Sequence, residues 1–192
     1  MKLVVGLGNP GPEYAWSRHN AGWLIIDSFV ARLGLSEPRM KFGGALWDAG
    51  MLEGQRVSLL KPFTYMNLSG KSVLEAVRYS NLEPSDILVV FDDAAIPFGR
   101  LRFRSSGSAG GQKGMISILG ALGTLGVARL RVGIGSPIPE MEMADWVLGK
   151  LPRGERDRWH LVEELAWNSL VKWLSGGAGD GFTVRIEDER KP

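Results

Sequence analysis

His19 is, by type and setting, the residue of this chain best suited to move a proton near neutral pH. It sits between a Gly/Asn/Pro-rich stretch and an apolar helical pattern, in GLGNPGPEYAWSRHNAG at residues 6–22. The other histidine, His160, lies inside a helical pattern between Trp159 and Leu161, where a structural role is the simpler reading. A carboxylate beside His19 would set its tautomer and stabilise its protonated form, and Asp92, directly after the apolar run 87–91, is the candidate. There is no cysteine, and no serine stands in a nucleophile-elbow pattern. Chemistry built on His19 therefore uses an activated water and no covalent intermediate. Asn9 and Asn67 would then hydrogen-bond around a carbonyl, with one of them available to stabilise an oxyanion.

Each of these residues also has a plainer reading. His19 next to Asn20 fits a helix entry, Asn9 before Pro10-Gly11 fits a turn, and Asn67 fits the lead into a helix. Asp92-Asp93 would serve as turn acids or as a magnesium site. Their joint placement sets the group apart. Asn9 and Asp92 follow strands, Asn67 comes a few residues after one, and Gln112-Lys113 precede a helix N-terminus. In an α/β sheet, ligands bind outside the carboxyl ends of strands.

The elements that must position these residues follow from periodicity. Residues 2–6 read as a buried strand. Residues 19–33 read as a helix, with Trp23, Ile26, Phe29, Val30 and Leu33 at helical spacing, Asn20 as N-cap and Gly34 as stop. Residues 42–60 read as a hairpin turning at 53–55, residues 61–67 as a loop begun by Pro62, and residues 69–79 as a helix. A turn at 83–86 leads into the strand 87–91. An extended polar strand covers 99–105, the glycine-rich loop SSGSAGGQKG covers 105–114, and a helix covers 115–122. Residues 129–135 alternate as a strand, 143–147 begin a short helical piece, and 151–174 form one long amphipathic helix. The expected fold class is α/β, a mixed, mostly parallel twisted sheet flanked by helices. One domain covers 1–186, and 187–192 is a charged, frayed tail. The Pro/Met/Gly content of 138–153 leaves open a lid motion there.

Bulk properties narrow the class. The chain has 192 residues, 44% hydrophobic and 23% charged, which suits one soluble globular domain. Only three apolar residues follow Lys2 before Gly6, too few for a signal core, and no apolar run reaches the roughly 20 residues of a membrane span. With no cysteine as well, the expectation is a cytoplasmic protein. The formal net charge is only +2, but no acid occurs from 99 to 138, where Arg100, Arg102, Arg104, Lys113, Arg129 and Arg131 cluster. That block is either a basic face for nucleic acid or a solvated strand face. Gly6-x-Gly8-x-x-Gly11 matches the dinucleotide fingerprint literally, but Pro10 and Pro12 flank Gly11 and the helix begins only near Asn20. The acid in range, Asp27, falls inside that helix and not at a strand end. A nicotinamide or flavin site is set aside on those grounds.

Taken together, the motifs resemble those of the bacterial peptidyl-tRNA hydrolase family. They are GLGNPGPEYAWSRHNAG at 6–22, KPFTYMNLSG at 61–70, VVFDDAAIPFG at 89–99, GSAGGQKGM at 107–115 and RLRVGIGSP at 129–137. The resemblance implies a monomeric single-domain α/β enzyme, without metal or cofactor. It would cleave the ester that joins a peptide to the 3′ ribose of tRNA. It also implies His19 as general base, Asp92 as its orienting partner, Asn9 and Asn67 on the peptide backbone, and Tyr14, Tyr65 and Met66 lining the cleft. Arg104 and Arg131 would grip tRNA phosphates. The chain departs from the family's Gly-Gly-His-Asn-Gly at Gly110-Gly111-Gln112-Lys113-Gly114, which puts Lys113 where an asparagine usually helps hold water and substrate. A lysine donates but cannot accept a hydrogen bond, so it would stabilise an oxyanion or grip a phosphate. Ala95 also stands where a second acid is common. The competing expectation is a non-catalytic RNA-binding relative of the same fold.

Overall fold

Leu3-Val4-Val5 is an unbroken β-branched and aliphatic run, and it forms the strand β1 (Lys2–Gly6), buried on both faces at the middle of the sheet. The computed structural model describes residues 1–187; the charged tail expected at 187–192 lies, beyond Glu187, outside the described residues. Seven further strands join β1: β2 (Arg39–Lys41), β3 (Gly44–Leu52), β4 (Gln55–Pro62), β5 (Ile87–Asp93), β6 (Arg100–Arg104), β7 (Ala128–Gly133) and β8 (Gly181–Arg185). Their order across one sheet is β2-β3-β4-β1-β5-β7-β6-β8.

The sheet is mixed as expected, but it is parallel only at its centre. β1 runs parallel to β4 and β5, and β5 parallel to β7, whereas the other four pairings are antiparallel. The expectation of a mostly parallel sheet is corrected by the two flanks. One is the β3–β4 hairpin, which turns at Glu53-Gly54 as its sequence predicts and carries β2 on its outer edge. The other is the β7-β6-β8 set, closed by β8, which went unread because its five residues alternate only between exposed and half-buried. β2 was unread for a similar reason, since Arg-Met-Lys offers no apolar side to bury.

Helices cover both faces. α1 (Ala21–Arg32) and α6 (Trp159–Leu174) pack on one face, and α2 (Ser69–Ser80) and α3 (Lys113–Leu122) on the other. α4 (Met143–Leu148) and α5 (Arg153–Asp157) are short connecting pieces. The single helix expected over 151–174 is two, because the chain breaks at Arg158 between α5 and α6. On α1, Ile25, Ile26 and Phe29 are fully buried against β1, β4 and β5, each contributing about 1.5–3 kcal/mol of transfer free energy. Gly34 takes a positive φ of 60° just past α1, the left-handed stop its sequence predicts.

One contact matters more than the others for the site. A Cβ on Gly22 would collide with the backbone of Leu7 and Val90, and a Cβ on Gly6 with the backbone of Gly22. The first turn of α1 thus lies directly on the end of β1 and the middle of β5, closer than any side chain would allow. That approach fixes where the residues just before α1 can reach.

Candidate active site

His19 and Asp92 come from opposite sides of this joint. His19 belongs to the 3₁₀ turn Arg18–Asn20 that feeds α1, and Asp92 is the penultimate residue of β5. His19 Nδ1 donates to Asp92 Oδ2 at 2.8 Å, with Asp92 only 3% exposed. Because Nδ1 carries the proton shared with the carboxylate, Nε2 is the ring nitrogen left with a lone pair. The helix-entry reading of His19 therefore does not account for its side chain, which is committed to an acid 73 residues away.

Asn20 corrects an expectation. It stands at the N-cap position of α1, but its side chain makes no cap. Its Oδ1 accepts from the backbone N–H of Asn9 at 2.8 Å and its Nδ2 donates to the Asn9 carbonyl at 3.0 Å. A buried strand end whose N–H and C=O would otherwise go unpaired outcompetes the cap. Asn9 in turn accepts at Oδ1 from the Met66 N–H at 2.9 Å, which leaves its Nδ2 uncommitted among the described residues. Asn9, His19, Asp92 and Met66 are thus drawn to one point from four segments of the chain.

Gln112 completes the group. It is buried, and it caps α3 by accepting at Oε1 from Met115 N–H at 2.7 Å. Its Nε2 donates to Asp92 Oδ1 at 3.1 Å and lies 3.2 Å from Met66 Sδ. The available signal was its position immediately before a helical pattern, where a polar residue is expected to cap. Gly114 is needed for the same crowding, since a Cβ there would come 2.5 Å from Met66 Sδ and 2.8 Å from Leu7 Cδ1.

The remaining candidates make no hydrogen bond to this group among the described residues. Asn67 is exposed in the 3₁₀ turn Met66–Leu68, and its side chain does not cap α2. Tyr65 beside it is 64% exposed, and Tyr14 is half-buried in the 3₁₀ turn Pro12–Tyr14. Lys113 is exposed at the first position of α3, with no hydrogen bond or ion pair to its ammonium among the described residues.

The basic block divides. Arg129 is buried and donates to the carbonyls of Gly107, Ser108, Leu125 and Val127, so it anchors the glycine-rich loop and is withdrawn from the surface. Burial, and then the neighbouring Arg131, hold its pKa below the ordinary guanidinium value. Arg131 is ion-paired with Asp93, and it stands opposite Arg102 in the β6–β7 register. Asp93 is thus committed to Arg131 and Asp92 to His19 and Gln112, so the two acids have separate partners. Arg104 is exposed on the same sheet face as Arg102, bonded only to the carbonyl of its neighbour Phe103.

Arg18 ties the His19 turn to the segment after β7. Its guanidinium stacks 3.6 Å from the Trp146 ring centroid and donates to the Lys150 carbonyl at 3.2 Å, while its backbone N–H bonds the Gly149 carbonyl. Burial lowers its pKa, opposed by Glu155, whose own carboxyl is pushed up by burial. The proposed lid segment is therefore latched, at its 146–151 end, to the turn that carries His19.

Comparison with known proteins shows which family the chain is similar to. The family model for peptidyl-tRNA hydrolase matches residues 3–189. A peptidyl-tRNA hydrolase of Symbiobacterium thermophilum is 52% identical over 151 residues, covering 77% of this chain and 78% of that protein. One of Citrifermentans bemidjiense is 45% identical over 183 residues, covering 95% and 96%. Among solved structures, peptidyl-tRNA hydrolase from Acinetobacter baumannii superposes with a TM-score of 0.83 at 36% identity, covering 92% of this chain and 89% of that one.

Proposed function

The chain belongs to the peptidyl-tRNA hydrolase family, and from that premise we propose how its own residues cleave the ester between a peptide and the 3′ ribose of tRNA. His19 Nε2 takes a proton from a water molecule as that water attacks the ester carbonyl carbon. Asp92, hydrogen-bonded at Nδ1, stabilises the imidazolium that forms. The imidazolium then returns the proton to the departing 3′ oxygen, releasing tRNA with a free hydroxyl and a peptide with a free carboxylate. A positioned general base of this kind contributes about 10²–10⁴-fold in rate.

The observation that carries this reading is the buried His19–Asp92 hydrogen bond at the end of β5. Asn9 supports it, because its Oδ1 is taken by Met66 and its Nδ2 remains to donate to a peptide carbonyl. Asn67, Tyr14 and Tyr65 line the approach, with Met66 as its buried floor. Lys113 adds to the positive end of the α3 dipole, an unfavourable place for a cation by about 0.3–1 kcal/mol unless an anion answers it. The ester oxyanion or the terminal tRNA phosphate is that anion. Arg104 and Arg131 extend the same positive face along β6 and β7 for the acceptor-arm phosphates. The enzyme acts as a monomer in the cytoplasm and needs no cofactor; among the described residues no helix is long and apolar enough to cross a membrane.

The test is release of peptide from an N-blocked aminoacyl-tRNA. His19→Ala is expected to keep tRNA binding and lose at least about 10²-fold in kcat. An unchanged rate refutes the mechanism.

A further inference from the structure

We propose that Gln112 is a positioning residue for the hydrolytic pair, holding Asp92 at the oxygen that His19 does not use and setting the basicity of His19 through it. The proposal rests on the His19–Asp92 reading above. Its basis is that both ends of the Gln112 amide are committed. The Met115 N–H can only donate, so the amide atom facing it must be Oε1, and Nε2 must face Asp92. The opposite orientation would set two donors against each other at α3 and two oxygens against each other at Asp92. One Nε2 hydrogen goes to Asp92 Oδ1 at 3.1 Å, and the other lies toward Met66 Sδ at 3.2 Å. Gln112 is also buried, so its polar atoms serve the protein and not the solvent.

Asp92 is therefore gripped at both oxygens, by His19 Nδ1 at Oδ2 and by Gln112 Nε2 at Oδ1. Rotation of the carboxylate, which would swing the imidazole, is blocked. The grip is anchored in the first turn of α3, because the same side chain caps that helix. Through Met66, whose N–H holds Asn9, it also reaches the group proposed to hold the substrate. A second donor draws charge density from the carboxylate and so weakens its pull on the imidazolium. A neutral amide does this at every working pH, since it does not titrate.

The charged groups on the elements that carry the pair and Gln112 are Arg18 next to His19 in the chain, with Glu155 near it; Asp93, paired to Arg131; and Lys113 at the head of α3. None is altered by changing Gln112, so a shift in the pH profile reports the Gln112–Asp92 contact.

Gln112→Asn keeps a carbonyl able to cap α3 but is one methylene too short to reach Asp92 as well. It is expected to leave the Tm and KM near wild type, lower kcat about tenfold, the scale of one charge-assisted hydrogen bond, and move the acid limb of kcat/KM to higher pH. Gln112→Glu keeps both the cap acceptor and the reach but, once ionised, removes the donor and sets a second negative charge against Asp92. It is expected to move the acid limb further up and lower kcat more. The His19 ring nitrogens, followed by NMR through a pH titration, are expected to shift in the same direction without reference to turnover. If Gln112→Asn is folded and has the wild-type kcat and acid limb, the residue is a helix cap and the proposal is overturned. Should Gln112→Asn lose stability, Gln112→Glu decides: a wild-type acid limb and His19 titration there overturn it equally. His19→Ala run alongside separates the two claims. Full activity in that variant fails the hydrolytic reading itself, whereas loss there with wild-type behaviour at Gln112 fails only this inference.

Discussion

Replacing Gly22 by alanine tests the joint on which His19 depends. The added Cβ would lie 2.7 Å from the Leu7 carbonyl oxygen and closer still to Leu7 N and the Val90 carbonyl. Carbon-to-carbonyl-oxygen contacts settle at about 3.3–3.6 Å, so with the Val90 carbonyl oxygen only 2.2 Å away the start of α1 must retreat by roughly 1.1 Å. Every colliding atom is backbone, in β5 or directly after β1, and none can rotate away. The retreat carries the Arg18–Asn20 turn with it. The His19–Asp92 bond, 2.8 Å in the native protein, would stretch past good hydrogen-bond length, and the Asn20 clamp on Asn9 with it. Overpacking of this kind costs about 1–3 kcal/mol in stability. A misplacement approaching 1 Å costs about 10² in rate, so kcat is expected to fall between roughly tenfold and a hundredfold while tRNA binding on the β6–β7 face persists. Peptide release and tRNA binding would be measured together with thermal unfolding. Gly120→Ala is the control: no atom lies within 4 Å of its added Cβ, and an exposed helix position gains up to about 1 kcal/mol from alanine. A Gly22→Ala enzyme with wild-type kcat and Tm would refute the claim that this close approach sets the site.

Two further outcomes concern charge. Arg104→Ala is expected to weaken tRNA binding and reduce the slope of log K against log salt by about one, with kcat at saturating substrate unchanged. Arg131→Ala should do the same and also lower the Tm, because Asp93 loses its ion-pair partner; equal salt slopes in both variants and wild type would place the phosphate contacts elsewhere. Glu163 has its pKa raised, by burial first, against the pull of His160 and with a smaller push from Glu164. A carboxyl with a raised folded pKa favours the native state below its unfolded pKa, and that contribution is lost as pH rises through the folded pKa. Glu163→Gln is therefore expected to raise the Tm at pH 7 and to leave it unchanged below about pH 4, where both states hold the proton. A gain of equal size at both pH values would show that ionisation is not the cause.

Much of the frame was legible in the chain. An apolar run followed by glycine marks a buried strand, and 3.6-residue spacing marks α1 and α2, because both are local consequences of burying one side of a regular backbone. Gly34 as a stop and Glu53-Gly54 as a hairpin turn are equally local, since each depends on a backbone conformation a few residues long. His19 with Asp92 was legible as chemistry, from residue types at strand ends. The edge strands β2 and β8 were not, because edge pairing needs no apolar period and leaves little pattern to read.

What the chain alone could not settle was which polar group meets which. Asn20 stands in the position of an N-cap, yet it is spent on the Asn9 backbone. Arg129 and Arg131 are two residues apart in one strand, yet one is buried under the glycine-rich loop and the other is paired with Asp93. Gln112 looked like a substitution in a loop, and it is the second grip on Asp92. The reason is the same in each case. A polar side chain takes the partner that burial would otherwise leave unsatisfied, and that partner is fixed by segments tens of residues away. Residue types along the chain determined that a histidine suited to move a proton would sit at the rim of an α/β sheet. Only the packing of Gly22 onto the end of β1 and the middle of β5 decided that His19 would meet Asp92, and which atoms would hold them there.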